Sequence, residues 1–328
     1  MKKEIKMNIS GAIRRTLTEM METDPDIFLI GEDIADPYGG IHNVTKGIQN
    51  HVDPARVINS PLSEVAIAGA GIGAAIAGMH PVVEIMYADF LPICMDQLVN
   101  QGAKAHFLSG GKLNVPLVIR ANYGSGKGEG AQHSQDPTAW LMNFPGIKIV
   151  APATARDAQG LMMAALQDKN PILFCEHKML YTLPGMILEE NEPIEIGKGI
   201  VEREGSDVTI VAAGMMFHYA MKAAALLAEG GIEAEVINPR TIKPFDYDLV
   251  VESLKRTGRL VLVEESPYTG GWGAQVVSTV TERAFSALKC APIRIAAVDA
   301  PLAADPQMEA QQVPSVNGIV ERVVSMLK

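Results

Sequence analysis

The chain has 328 residues, 48% of them hydrophobic and 20% charged, with a formal net charge of −10. That length exceeds what one core usually holds, so two domains are expected, and the apolar content excludes intrinsic disorder. The acidic balance excludes nucleic acid as the main partner, because phosphate-backbone binders carry a basic face. Three cysteines, Cys94, Cys175 and Cys290, lie far apart with no Cys-x-x-Cys, which argues against a disulfide framework or a structural zinc and fits reduced thiols in a cytoplasmic protein.

In chain order, residues 1–15 are charged throughout and lack an apolar stretch, so no secretory signal is expected. Ile9, Ala12, Ile13, Thr16, Leu17, Met20 and Met21 follow helical spacing, and Asp24-Pro25 ends that helix. Residues 27–30 form a short apolar strand closing in Gly31-Glu32-Asp33, and similar strands are predicted at 57–59, 82–86, 117–120, 147–150 and 172–175. Helical stretches near 63–79, 89–106 and 154–168 alternate with them. Continuous apolar strands separated by helices imply a mainly parallel sheet covered on both faces. The most apolar run, 65–79, is short and small-sided and stops at His80-Pro81. It predicts a buried helix and no membrane span.

Residues 183–192 break the rhythm with Pro184, Gly185 and an acidic run, which places a domain boundary there and divides the chain into 1–185 and 186–328. A second α/β series follows, with strands predicted at 208–212, 234–237, 260–263 and 293–296 and helices near 217–229, 247–256 and 272–288. The fold class is therefore α/β, two three-layer domains with mainly parallel sheets.

Three motifs carry the chemistry, after one decoy. Gly69-Ala70-Gly71-Ile72-Gly73-Ala74 matches a dinucleotide fingerprint in letters only, because its glycines fall inside a helix rather than at a strand-to-helix turn. Gly124-Ser125-Gly126-Lys127-Gly128-Glu129-Gly130 lacks P-loop spacing; four glycines in seven residues after a strand predict a flexible segment at the edge where ligands bind. Gln132-His133-Ser134-Gln135 follows it, and His133 there is suited to proton transfer or, equally, to capping or core packing. Ser60-Pro61-Leu62-Ser63-Glu64 opens the apolar helix, with Ser63 suited to a capping role. Glu64 is the one charge leading into that apolar run, an environment that alters a carboxyl's behaviour.

The last three motifs, together with Gly31-Glu32-Asp33, Tyr38-Gly39-Gly40, Val44-Thr45-Lys46-Gly47, Asp96-Gln97, Phe174-Cys175-Glu176-His177-Lys178, Glu264-Glu265-Ser266-Pro267 and Thr269-Gly270-Gly271-Trp272-Gly273-Ala274, make an ordered set in which the chain resembles a known family over essentially its whole length. That family is the β subunits of the thiamine-diphosphate-dependent 2-oxo acid dehydrogenases, the decarboxylating first component of pyruvate, branched-chain and acetoin complexes. The resemblance implies a pyrimidine-binding α/β domain followed by a transketolase C-terminal-like domain. It also implies a thiamine diphosphate site completed by an α subunit that holds the diphosphate and Mg2+, in an assembly of two α and two β chains. No Gly-Asp-Gly occurs in this sequence, consistent with half a site.

Carried over by position, Glu64 resembles the carboxylic group that hydrogen-bonds the pyrimidine ring, Phe90 the aromatic that stacks on it, and Leu62 and Met86 its neighbours. His133 resembles the histidine that assists substrate binding and acyl transfer to lipoamide, and the C-terminal domain implies docking to a lipoyl-bearing acyltransferase core. Leu117, Ala165, Leu166, Asp168 and Asn170 match a potassium site; helix-terminal carbonyls and a carboxylate attract a cation, though Asp168-Lys169-Asn170 also reads as an ordinary turn. Departures from the family are Ser60 where Thr is usual, Lys127 and Glu129 in the glycine segment, and the stretch 303–309. The expected activity is pyruvate- or acetoin-type. The alternatives are a branched-chain β subunit or a non-catalytic subunit that docks the acyltransferase core. A one-chain synthase of the transketolase type would need a diphosphate-binding domain that 328 residues leave no room for.

Overall fold

A computed structural model describes residues 2–328. The chain divides into two compact units: one runs to Tyr123 and resumes over Trp140–Ile196, and the other takes Gly124–Ala139 and Gly197–Lys328. The glycine segment and His133 thus group with the second unit although they follow a strand of the first.

The first unit opens with β1 (Glu4–Asn8) and α1 (Ile9–Thr23), where the Asn8 side chain accepts from Gly11 N at 2.9 Å and caps the helix. It continues through β2 (Ile27–Gly31), β3 (Val57–Asn59), α2 (Glu64–Ile76), β4 (His80–Tyr87), α3 (Ala105–Leu108), β5 (Val118–Tyr123), β6 (Lys148–Val150), α4 (Ala155–Gln167), β7 (Ile172–His177) and β8 (Pro184–Leu188). Six strands lie parallel in the order β6-β7-β5-β4-β2-β3. Apart from a few buried charges their central strands are mostly apolar, as a covered parallel sheet requires.

Three expectations change here. The predicted helix at 89–106 is instead a 3-10 segment at Ala88–Cys94, a π-helical turn at Asp96–Gly102 and the short α3. Pro92 lies inside the first of these, and its missing N–H and bulky ring prevent a regular α-helix. The acidic connection contains a strand, since β8 pairs antiparallel with β1, Ile5 opposite Ile187. The helix expected to be buried is only half so: Ile67, Ala68, Gly71, Ile72 and Ala75 are buried, whereas Val65 and Ile76 are exposed. Its small residues have the expected use, because a Cβ at Gly71 collides with Val83 of the sheet beneath.

The second unit contains β9 (Ile200–Arg203), β10 (Val208–Ala212), α5 (Gly214–Glu229), β11 (Ala234–Asn238), β12 (Thr241–Lys243), α6 (Tyr247–Thr257), β13 (Leu260–Pro267), α7 (Trp272–Ala284), β14 (Ile293–Ala297), α8 (Pro306–Gln312) and α9 (Val316–Leu327). Its five-stranded sheet runs β14-β13-β10-β11-β9, parallel except for β9. Because β11 and β13 flank β10 on opposite sides, right-handed crossovers put α5 on one face and α6 with α7 on the other. Among the described residues no helix is long and apolar enough to cross a membrane.

Candidate active site

The carboxyl ends of the parallel strands gather the chemistry-bearing side chains of the first unit. The chain steps outward from β2 to β3 and then returns to β4 on the other flank of β2. Such a switch point opens a crevice beyond the strand ends. There β2 delivers Glu32, β3 delivers Ser60 and, through the start of α2, Glu64; β4 delivers Met86, and the turn after it delivers Phe90.

Glu32 is 5% exposed, accepts from the Ser63 N–H, and has no hydrogen-bond partner for Oε1. Burial first, and the neighbouring Glu64 carboxylate second, push its carboxyl above the ordinary value. Ser60 Oγ is likewise buried without a partner. An unmet buried polar atom costs about 1–3 kcal/mol, so two at adjacent strand ends mark a place shaped to receive a polar group.

Glu64 is half-buried at the first residue of α2, where the positive end of the helix favours a carboxylate. Ser63 does not cap that helix as the sequence suggested; its hydroxyl donates instead to the Leu62 carbonyl at 2.6 Å. Leu62 is 81% exposed. Phe90 is half-buried and stands edge-on to Tyr87 with ring centroids 6.0 Å apart, and the Lys178 ammonium lies 5.3 Å from the Tyr87 centroid. Leu62, Glu64, Met86 and Phe90 therefore share the carboxyl edge of one sheet.

Deeper in the same strands lies a buried ion cluster that the sequence reading missed. Arg120 on β5 donates to Glu176 on β7 through Nε at 2.7 Å and Nη2 at 2.8 Å, and through Nη1 to Glu84 on β4. Tyr181 Oη donates to the second Glu176 oxygen at 2.7 Å. Burial pushes the Glu84 carboxyl up, with Arg120 opposing; Tyr181 is pushed up by burial and then by Glu176. The Asn122 amide, two residues after Arg120, donates to the Met86 carbonyl, so the cluster's strands also fix the backbone that carries Met86. The available signal was one charge inside each apolar strand: Val-Val-Glu84, Val-Ile-Arg120 and Phe-Cys-Glu176.

His133 is half-buried in the second unit and its backbone N–H donates to the Gly130 carbonyl at 3.3 Å. The preceding glycine segment, expected to be flexible, is anchored: Ser125 N donates to Glu265 Oε1 at 2.6 Å and Gly128 N to Glu309 Oε2 at 3.0 Å. Carboxylates supplied from β13 and α8, both distant in sequence, account for the difference.

The five residues expected at a cation site lie at the opposite, amino edge of the first unit's sheet. Leu117 O accepts from Ile172 N at 2.8 Å, and Ala165 O from Asp168 N at 3.3 Å. Asp168 Oδ1 accepts from Asn170 N and Nδ2, both at 2.9 Å, while Oδ2 is paired with Lys148 Nζ. Burial works against the Asp168 charge, but the bonds from Lys148 and Asn170 outweigh it and hold the carboxyl below its ordinary value. The Leu166 carbonyl shares this helix end.

The family described as transketolase, pyrimidine binding domain, matches residues 5–184, and that described as transketolase, C-terminal domain, matches 197–319. The β subunit of acetoin:2,6-dichlorophenolindophenol oxidoreductase from Cupriavidus necator is 40% identical over 98% of both chains. Subunit beta-1 of the mitochondrial pyruvate dehydrogenase E1 component from Arabidopsis thaliana is 41% identical over 96% of this chain and 87% of its own. The chain belongs to the β subunits of the thiamine-diphosphate-dependent 2-oxo acid dehydrogenases. In fold, this β subunit matches a split-gene transketolase described as an inactive β4 tetramer, with a TM-score of 0.81 at 24% identity over 98% of each chain.

The carboxyl edge fits the pyrimidine half of thiamine diphosphate on chemical grounds. An aminopyrimidine offers ring nitrogens and an amine to a half-buried carboxylic group and to the orphaned Glu32 and Ser60 oxygens, and an aromatic face to Phe90.

Proposed function

We propose that this β subunit, with an α subunit that supplies the diphosphate and Mg2+ half, decarboxylates a small 2-oxo acid or cleaves acetoin and passes the acyl group to lipoamide. The observation that carries this reading is a site built from one side: Glu64 is only half-buried and Leu62 is bare beside it, while Glu32 and Ser60 keep unmet polar atoms. Val65, Ile93 and Phe107 add exposed apolar surface of the kind a partner subunit covers.

Thiamine diphosphate, when bound, supplies the electron sink for breaking the bond next to the substrate carbonyl. Glu64 would hold a proton toward a pyrimidine ring nitrogen, Phe90 would stack on the ring, and Leu62 and Met86 would exclude water from its flanks. His133 would be placed to give a proton to the lipoyl sulfur released when the S–S bond opens and the other sulfur takes the acyl group. The pyruvate and acetoin names of the relatives favour a small acyl group over a branched one. Docking to an acyltransferase core through the second unit and a cytoplasmic location complete the reading.

The carbonyls of Leu117, Ala165 and Leu166, with Asp168 and Asn170, suit a potassium ion. Lys148 already neutralises Asp168, so the ion would be held mainly by carbonyls, and weakly. Exchanging sodium for potassium should raise the melting temperature of the complex; equal values remove the site.

Calorimetry tests the main reading. The β chain alone should bind thiamine diphosphate weakly or not at all and the α–β mixture tightly with Mg2+. Tight Mg2+-dependent binding by β alone would overturn it.

A further inference from the structure

We infer that Glu309 is a positioning residue for His133, acting through the glycine segment that precedes it; the inference rests on the reading of His133 as the acyl-transfer residue. Glu309 lies in α8, is 2% exposed, and directs Oε2 at Gly128 N, 3.0 Å away, while Oε1 has no partner. Gly128 has φ +64°, and a Cβ there would lie 2.7 Å from the Ala304 carbonyl, so only glycine lets the segment rest against the stretch that carries Glu309. Glu265 holds the start of the segment through Ser125 N at 2.6 Å.

The far side of His133 is fixed as well. Asp136 Oδ1 accepts from Thr138 N at 2.8 Å and Thr138 Oγ1 at 2.6 Å, and Oδ2 from Ser266 Oγ at 2.8 Å. His133 therefore sits on backbone restrained at both ends by side chains of its own unit. A buried carboxylate is a costly acceptor for one backbone N–H, and an amide or hydroxyl would close the same bond without burying charge. What the charge adds is strength, since charge-assisted hydrogen bonds are about twice as strong as neutral ones. A segment with four glycines needs that strength most, because glycine loses the most conformational freedom on ordering. This is a device for holding a catalytic side chain steady on a loop.

The test uses the full-length chain assembled with its α subunit, in wild-type, Glu309→Ala, Glu309→Gln and His133→Ala forms. Trypsin cleavage after the exposed Lys127 reads the segment's order, the melting temperature reads global stability, and turnover is measured with an artificial electron acceptor and with free lipoamide. In Glu309→Ala, cleavage at Lys127 should rise about tenfold relative to other tryptic sites, and lipoamide acylation should fall about tenfold with artificial-acceptor turnover kept within about twofold, the scale expected of small misplacements. Glu309→Gln should restore only part of both, because its amide oxygen can still accept from Gly128 N but without the charge. Unchanged cleavage at Lys127, or cleavage rising equally at all sites with a lower melting temperature, overturns the anchor. Selective cleavage with wild-type acylation in Glu309→Ala, while His133→Ala loses acylation, overturns the positioning role. A His133→Ala complex with wild-type acylation overturns the reading of His133 itself, separately from the anchor.

Discussion

The two units hold their candidate functional side chains in opposite ways. In the first, Met86 sits on β4, Phe90 lies in the turn after it and Glu64 opens α2 beyond β3, and β4 is tied to β5 and β7 by the Glu84–Arg120–Glu176 cluster. In the second, His133 lies on a connection with no strand or helix of its own, held by Glu265, Glu309 and Asp136 from around it. Strand-borne groups inherit position from hydrogen-bond register, which many residues share. A loop-borne group depends on a few side-chain bonds, so it can be loosened without unfolding anything.

The largest effect should come from Glu64→Gln. The amide keeps size and hydrogen bonding but cannot exchange a proton with the pyrimidine, so decarboxylation by the reconstituted complex should fall roughly 10²–10⁴-fold with assembly near normal. Wild-type turnover at saturating cofactor would remove Glu64 from the chemistry.

Arg120→Met breaks the comparison from below. It leaves Glu84 and Glu176 buried without their cation, and removing one partner of such a cluster costs about 3–5 kcal/mol. The loss should appear as a lower denaturant midpoint for the first unit, while cleavage after Lys127 keeps its wild-type rate at temperatures below unfolding. Loss of Lys127 protection in the folded variant would show that the two kinds of support are not independent.

The smallest effect is a pH slope. Burial raises the Asp136 carboxyl above its ordinary value, with Thr138 and Ser266 opposing. The folded state therefore holds that proton more tightly than the unfolded one, and this group's contribution to stability is lost as pH rises from the ordinary Asp value through the raised one. Asp136→Asn removes that contribution, so the variant should gain stability relative to wild type as pH rises across that window. A difference that does not change with pH, measured by denaturation at several pH values, would show that Asp136 does not titrate on unfolding.

The sequence by itself determined the strands and helices whose apolar runs are local: β3 and β10 fall where they were predicted, and α2, α4 and α6 within a few residues. Their period and their Pro, Gly and Asp boundaries are written within a few residues of chain, and the ordered motifs sufficed to mark Glu64 and His133 as candidates. Tertiary structure alone decided the rest. β8 forms only because β1, at the other end of the first unit's sequence, supplies its hydrogen-bond partner, as Glu4 faces Leu188. Glu32 reads only as the close of a short strand until burial and Glu64 act on its carboxyl. The glycines 124–130 spell flexibility in any local window, and become a fixed support only when Glu265 and Glu309, far along the chain, point carboxylates at their backbone. Local propensity sets where the chain can bend; the partners that stop it bending come from the fold.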